Sequence, residues 1–276
     1  MLKIWVYILL LAGFLYSCHT EHSPVNTLAD RVTEGTSKDR ILFRMIADEN
    51  NPLKDYFEIS SEDGKVLITG NSDLSLATGL NWYLKYVAGI HLSWNNLSQK
   101  LPEVLPLPQE KIRKETSMQN RYYLNYCTYS YSMAFWDWER WEAEIDRMAL
   151  QGINMPLMAV CGEYAVWQNT LRRLNFSETD IAAFLPGAGY EAWWLMGNLE
   201  GFGGPVSPEF IARQTDLQQK MLKRMRELGM KPVFQGFYGM VPNVLKKKYP
   251  DARIKEQGTW QAYQRPAFLD PTDPLF

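Results

Sequence analysis

The sequence predicts an α/β chain: a small α/β amino-terminal domain followed by the first part of a (β/α)8 TIM-type barrel. Three patterns carry that reading. Residues 121–126 (R-Y-Y-L-N-Y) alternate and hold the aromatics that favour a pleated surface. Asp137 then precedes Trp138, Trp141, Ile145, Met148 and Ala149, apolar positions at three- and four-residue steps, which predicts a capped amphipathic helix. Gly152 closes it, and Ile153 to Ala159 is a short apolar run suited to a buried parallel strand. Further on, a long helix over Pro208 to Leu228, ended by Gly229, leads into a third apolar stretch, Lys231 to Phe237.

The upstream elements follow in order. Lys3, the apolar stretch Ile4 to Phe14 and the lipobox-like Leu15-Tyr16-Ser17-Cys18 read as a bacterial lipoprotein signal over residues 1–18, with Cys18 the lipidated residue. The run is too short to span a bilayer. Tyr16 is larger than usual for its position, which leaves an ordinary signal peptide as the alternative. Residues 19–38, polar with Pro24 and Gly35, read as a tether. In the small domain, 39–108, Phe57 to Ile59 and Lys65 to Thr69 read as strands around a turn at Glu62-Asp63-Gly64. Asp73 caps a helix with a stripe of Leu76, Leu80, Tyr83, Leu84 and Val87, Gly89 ends it, and Ile90 to Trp94 returns extended. Pro102, Pro106 and Pro108 with the charged stretch Glu110 to Glu115 read as the linker into the barrel part, 109–276.

Composition excludes several classes. Lys and Arg number 29 against 31 Asp and Glu, so no excess of cations favours nucleic acid. The run Lys246-Lys247-Lys248 reads as a solvated helix end. His19, His22 and His91 are isolated and no Cys/His spacing suits zinc, so no metal is expected. Gly201, Gly203 and Gly204 lack the strand-to-helix phosphate turn, which leaves no nucleotide role and no cofactor. Cys127 and Cys161 are expected to stay unpaired.

A barrel places its chemistry at the carboxyl ends of its strands. Asn125 and Cys127 follow the first strand, and Tyr238 follows the third. The long segment between strands two and three holds Glu163, Tyr164, Trp167, Trp193, Trp194, Asn198 and Glu200, and reads as a substrate-binding wall. Asn125 and Asn198 can each donate and accept hydrogen bonds, and Tyr238 can stack on a ligand or bond to it; each amide could instead brace its own loop. Trp167 reads as core, and Glu139, Glu142 and Glu144 as the solvated face of a barrel helix.

These segments closely resemble the α-N-acetylglucosaminidases, glycoside hydrolase family 89. The resemblance rests on R-Y-Y-L-N-Y-C-T at 121–128, W-D-W-E-R-W-E-A-E-I-D at 136–146, M-A-L-Q-G-I-N at 148–154, A-V-W-Q at 165–168 and M-G-N-L at 196–199. It continues through G-P at 204–205, G-M-K-P-V at 229–233 and D-P-L-F at 273–276. It implies an exo-glycosidase acting on glycans with terminal α-linked N-acetylglucosamine, retaining through two glutamates on strands beyond Phe276. No catalytic residue is therefore assigned in this chain, which reads as the amino-terminal portion of a longer protein, inactive and marginally stable alone. Asn125, Cys127, Glu163, Tyr164, Asn198 and Tyr238 are the implied sugar-binding residues. Tyr164, Phe202 and Met240 depart from the family pattern of glutamate, tryptophan and histidine. Two alternatives stand: a non-catalytic glycan-binding lipoprotein, and another barrel hexosaminidase. An exported location, in the periplasm or at the cell surface, accompanies the lipid anchor.

Overall fold

Val25, Leu28, Ala29 and Val32 recur at helical spacing behind Ser23 and Pro24, a good start for a helix. In the computed structural model, which describes residues 23–47, 54–158 and 161–276, they form helix α1 (Pro24–Val32) with all four side chains buried. The expected tether is thus corrected over this span. Its polar residues disguised an amphipathic helix whose apolar stripe is only one face wide. The signal segment with Cys18, and Ala159, lie outside the described residues.

The small domain is a four-stranded sheet of order β1-β3-β2-β4, from β1 (Ile41–Met45), β2 (Asp55–Glu62), β3 (Lys65–Gly70) and β4 (Ile112–Thr116). β1 runs parallel to β3, while β2 is antiparallel to both β3 and β4. Helix α2 (Asp73–Tyr86) packs on one face, capped by Ser72, whose hydroxyl accepts from the Ser75 amide at 3.1 Å. Asp73 is therefore the first helical residue and not the cap. Gly79 lets α2 approach the sheet, since a Cβ there would stand 2.8 Å from Ile68 Cγ2.

The fourth strand corrects a second expectation. Ile90 to Trp94 does not join the sheet; Ile90 and Leu92 are buried as packed loop. The edge goes instead to β4, inside the supposed linker. Lys111 and Arg113 bond Glu58 at 2.6 and 3.0 Å, and Lys54 bonds Glu115 at 2.9 Å. Such charges are how an edge strand avoids pairing with other chains, and they made this one read as a linker.

The barrel part begins with β5 (Tyr122–Tyr123), α3 (Trp138–Leu150) and β6 (Met155–Pro156), with β5 and β6 parallel. Asp137 caps α3 by accepting from the Arg140 amide at 2.9 Å, and Gly152 takes a φ of 74° after its end. The third strand lies alongside β6, joined by a parallel Leu157–Val233 bridge and by Met158 N–H to Val233 O at 2.7 Å. Helices α4 (Glu163–Arg173), α5 (Glu178–Phe184) and α6 (Glu191–Leu195) fill the segment between strands two and three, and α7 (Pro208–Glu227) returns to the third strand. Beyond it come β7 (Met240–Val241), the short α8 (Leu245–Lys248), β8 (Ile254–Lys255), β9 (Thr259–Trp260), β10 (Tyr263–Gln264) and β11 (Ala267–Leu269). β11 pairs antiparallel with β7 and β8, and β9–β10 is a hairpin.

Small domain and barrel part share one continuous core. Asp146 on α3, 2% exposed, accepts from Arg31 Nε of α1 at 2.7 Å and from Arg224 Nη2 of α7 at 2.9 Å. Glu144, expected on a solvated face, is fully buried, accepting from Trp94 Nε1 at 2.8 Å and Arg147 Nη2 at 2.6 Å. Burying a charge without partners is costly, so these carboxylates fix which elements meet there. Asp146→Ala leaves Arg224 buried without its main partner and is expected to lower unfolding stability by about 3–5 kcal/mol. Replacing the glutamate at 139, on the outer side of α3, should change it by less than about 0.5 kcal/mol. Urea denaturation of both variants checks this, and an Asp146→Ala midpoint equal to wild type refutes it.

Candidate active site

Two adjacent strand ends converge on one recess. Glu163 opens α4 just after strand two, and Gln235, Gly236, Phe237 and Tyr238 follow strand three. Trp167, Val166, Thr170, Leu195 and Met240 complete a cavity of about 190 Å³. The Leu195 carbonyl organises its floor. It accepts from Tyr238 Oη at 2.7 Å and from Gln235 Nε2 at 3.1 Å, tying α6 to the third strand end. That leaves Gln235 Oε1 buried with no partner among the described residues. Trp167 forms one wall, its ring 5.1 Å from Phe184, 5.7 Å from Trp194 and 6.3 Å from Phe237.

Burial governs the electrostatics. It pushes the Glu163 carboxyl up to about 6 and the Tyr238 phenol up to about 12. Burial, then Tyr122 and Glu163, also raise the Tyr126 phenol, so the first strand end lies within electrostatic reach of the recess. Behind it, fully buried Glu191 is pushed well above the ordinary carboxyl range by burial and then by Glu163, while an N–H from Cys161 opposes the shift. Burial brings Glu200 to about 7, against the amide N–H and side chain of Asn243, which bond its carboxylate.

Of the residues singled out in the sequence, the recess gathers Glu163 and Tyr238. Asn125 is exposed; its Oδ1 caps a helical turn (Tyr126–Thr128) by accepting from the Thr128 amide at 3.2 Å. Cys127, in that turn, is half-buried and free, as is buried Cys161. Asn198 sits half-buried in the loop after α6, outside the recess. Tyr164 does not face the recess: it is 1% exposed, packs edge-to-face on Phe210 at 6.0 Å, and turns a hydroxyl with no partner among the described residues into the core. It lies one helical residue beyond Glu163, about 100° around α4, so only one of the two can face the recess. Gln235, Phe237 and Leu195 were missed. For Gln235 the signal existed, since it is the one polar side chain in the run Val233 to Phe237.

A larger crevice of about 270 Å³ lies between α1, the Leu92–Ser98 loop and α3. Among its charged groups Arg31 pairs with Asp146 and Glu142 across the two domains and Arg147 pairs with Glu144 within α3, so the crevice is part of the joint.

Comparison with known proteins gives this recess its context. The profile of the alpha-N-acetylglucosaminidase (NAGLU) tim-barrel domain matches residues 121–276, and that of the NAGLU amino-terminal domain matches residues 23–107. The chain belongs to the α-N-acetylglucosaminidase family. Human alpha-N-acetylglucosaminidase is 38% identical over 216 residues, which are 77% of this chain and 29% of the human protein. The fold is similar to a family 89 glycoside hydrolase from Clostridium perfringens, with TM-score 0.83 and 38% identity over 89% of this chain and 28% of that one. That structure contains 2-acetamido-1,2-dideoxynojirmycin. A variant of it, with two glutamates changed to glutamine, is solved with its substrate GlcNAc-alpha-1,4-galactose. The chain thus spans less than a third of the length of either relative.

The raised Glu163 carboxyl makes a stability prediction. With the folded value near 6 and the ordinary value at 4.5, the folded state holds the proton more tightly. That stabilisation is fully present below pH 4.5 and lost as pH rises through about 6, roughly 2 kcal/mol in all. Glu163→Gln should remove this component, so the wild-type minus variant stability difference should shrink between pH 4 and pH 7. A difference independent of pH, by urea denaturation at each pH, refutes the burial.

Proposed function

We propose that the protein of which this chain is part is an exo-glycosidase releasing terminal α-linked N-acetylglucosamine, and that the recess forms part of the terminal-sugar subsite. The observation that carries it is the meeting of Glu163, Gln235 and an aromatic wall at adjacent strand ends, in a chain of this family. Carbohydrate sites combine rings with a few convergent polar groups, and the free Gln235 Oε1 is an acceptor awaiting a hydroxyl or amide.

Within that reading the chemistry is shared between binding and hydrolysis. A retaining glycosidase needs two carboxyl groups about 5–5.5 Å apart, flanking the scissile bond. Here Glu200 is held by Asn243, Glu191 is sealed in the core, and Glu163 lines the recess without a second carboxyl. We therefore place the acid and the nucleophile on later barrel strands and assign binding to this portion. Asn125 and Cys127 flank Tyr126, whose phenol feels Glu163, and we assign them to the same mouth. Cys18 would anchor the mature protein outside the cytoplasm.

Expressed from its complete coding sequence, the protein should hydrolyse an aryl α-N-acetylglucosaminide and reject the plain α-glucoside. Gln235→Ala should cost ~1–3 kcal/mol in kcat/KM by removing a buried acceptor, while Lys247→Ala changes nothing. Equal kcat/KM for Gln235→Ala and wild type sinks the subsite assignment, and no turnover of the acetamido sugar sinks the activity. Separately, labelled palmitate should enter the wild-type protein but not Cys18→Ala, and persistence of the label in the variant excludes the anchor.

A further inference from the structure

Five aromatic side chains form a continuous ridge across the loops beside the recess. Tyr131, 75% exposed, lies in the helical segment after the first strand, its ring 5.1 Å from Trp193 of α6. Trp193 is followed by Tyr190 at 6.3 Å, Phe202 at 4.5 Å from Tyr190, and Tyr263 of β10 at 4.4 Å from Phe202. Three of these contacts are edge-to-face. Each such contact occupies one face of one ring and leaves that ring's opposite face free of its partner. The line is built and held: a Cβ on Gly203 would stand 2.6 Å from the Tyr190 ring. Ridge and recess are tied to the same helix, since Trp193 shares α6 with Leu195, whose carbonyl holds Tyr238 and Gln235.

The charge around this surface is one-sided. No Lys or Arg occurs in residues 122–136, 155–171, 185–207 or 232–245, the segments that form the mouth. The same segments carry Glu163, Glu191 and Glu200. Arg265, beside the ridge, gives its Nε–H to the Gly197 carbonyl at 3.0 Å. A sulfate or uronate laid here would lose water without finding a lysine or arginine on these segments to replace it. A neutral pyranose fits instead, its C–H face on the rings and its hydroxyls toward the phenol tips.

We propose that the ridge Tyr131–Trp193–Tyr190–Phe202–Tyr263 is a subsite for the sugars beyond the terminal residue, and that it selects uncharged glycans over sulfated or uronic-acid-bearing ones. This rests on the recess being the terminal-sugar subsite. The test uses the protein from its complete coding sequence and three substrates: an aryl α-N-acetylglucosaminide, an uncharged α-N-acetylglucosaminyl trisaccharide, and that trisaccharide sulfated on its second sugar. Sulfation should lower kcat/KM at least ~10-fold. Tyr263→Ala and, to guard against misfolding, Phe202→Leu should raise KM for the neutral trisaccharide roughly 5- to 20-fold, leaving the aryl glycoside within about two-fold. Equal losses on both substrates, or equal use of the sulfated trisaccharide, overturn the proposal. Saturation-transfer NMR with the uncharged aglycone disaccharide alone reads the ridge without turnover. Binding that Tyr263→Ala abolishes supports the ridge even if no α-N-acetylglucosaminide is cleaved, and absent or unaltered binding refutes it.

Discussion

Asp146 is the hinge of the architecture in the energetic sense. One buried carboxylate on α3 holds an arginine from the amino-terminal helix and another from the long barrel helix α7. Asp146 and Arg224 are buried and Arg31 is partly so, and removing such charges from water is tolerated only where each finds partners, which favours one arrangement of the three helices. Glu144, two residues earlier, does the same toward Trp94 and Arg147, and Arg147 reaches on to the Tyr123 hydroxyl at 2.6 Å. The first barrel strand is thereby fixed relative to the small domain, and with it the loop that carries Asn125 and Cys127.

The same physics, with the opposite balance, shapes the mouth. Glu163, Glu191 and Glu200 are desolvated without any cation among their named partners, and burial raises all three. A recess that lines a desolvated carboxyl group with indole and phenol rings, with no lysine or arginine among its described lining residues, is suited to neutral polar ligands. The contrast with the joint is instructive: carboxylates paired to arginine hold helices together, and carboxyls left without arginine line the recess or the core.

Much of the site lay beyond sequence pattern because side-chain direction is set by packing. Glu163 and Tyr164 are adjacent, and only the helical turn decides that one faces the recess and the other Phe210. Asn125 was legible as a polar group at a strand end, yet its Oδ1 serves the local turn. Gln235 was visible as a polar interruption of an apolar run, but its significance depends on Leu195, 40 residues away, taking its amide and leaving its oxygen free.

By itself the sequence determined the order of the elements and their class. Periodicity and caps gave α2, α3, α7 and the three barrel strands, because those signals are local and each residue's neighbours suffice to set them. The tryptophan-rich motifs gave the family. Tertiary structure alone decided the rest: that 24–32 is a core helix, that a charged stretch becomes the edge strand β4, and that Glu144 and Asp146 are buried. Each depends on a partner far along the chain, such as Arg31 meeting Asp146 across 115 residues. A polar side chain looks the same in sequence whether water or a distant arginine satisfies it, and only the fold brings the arginine.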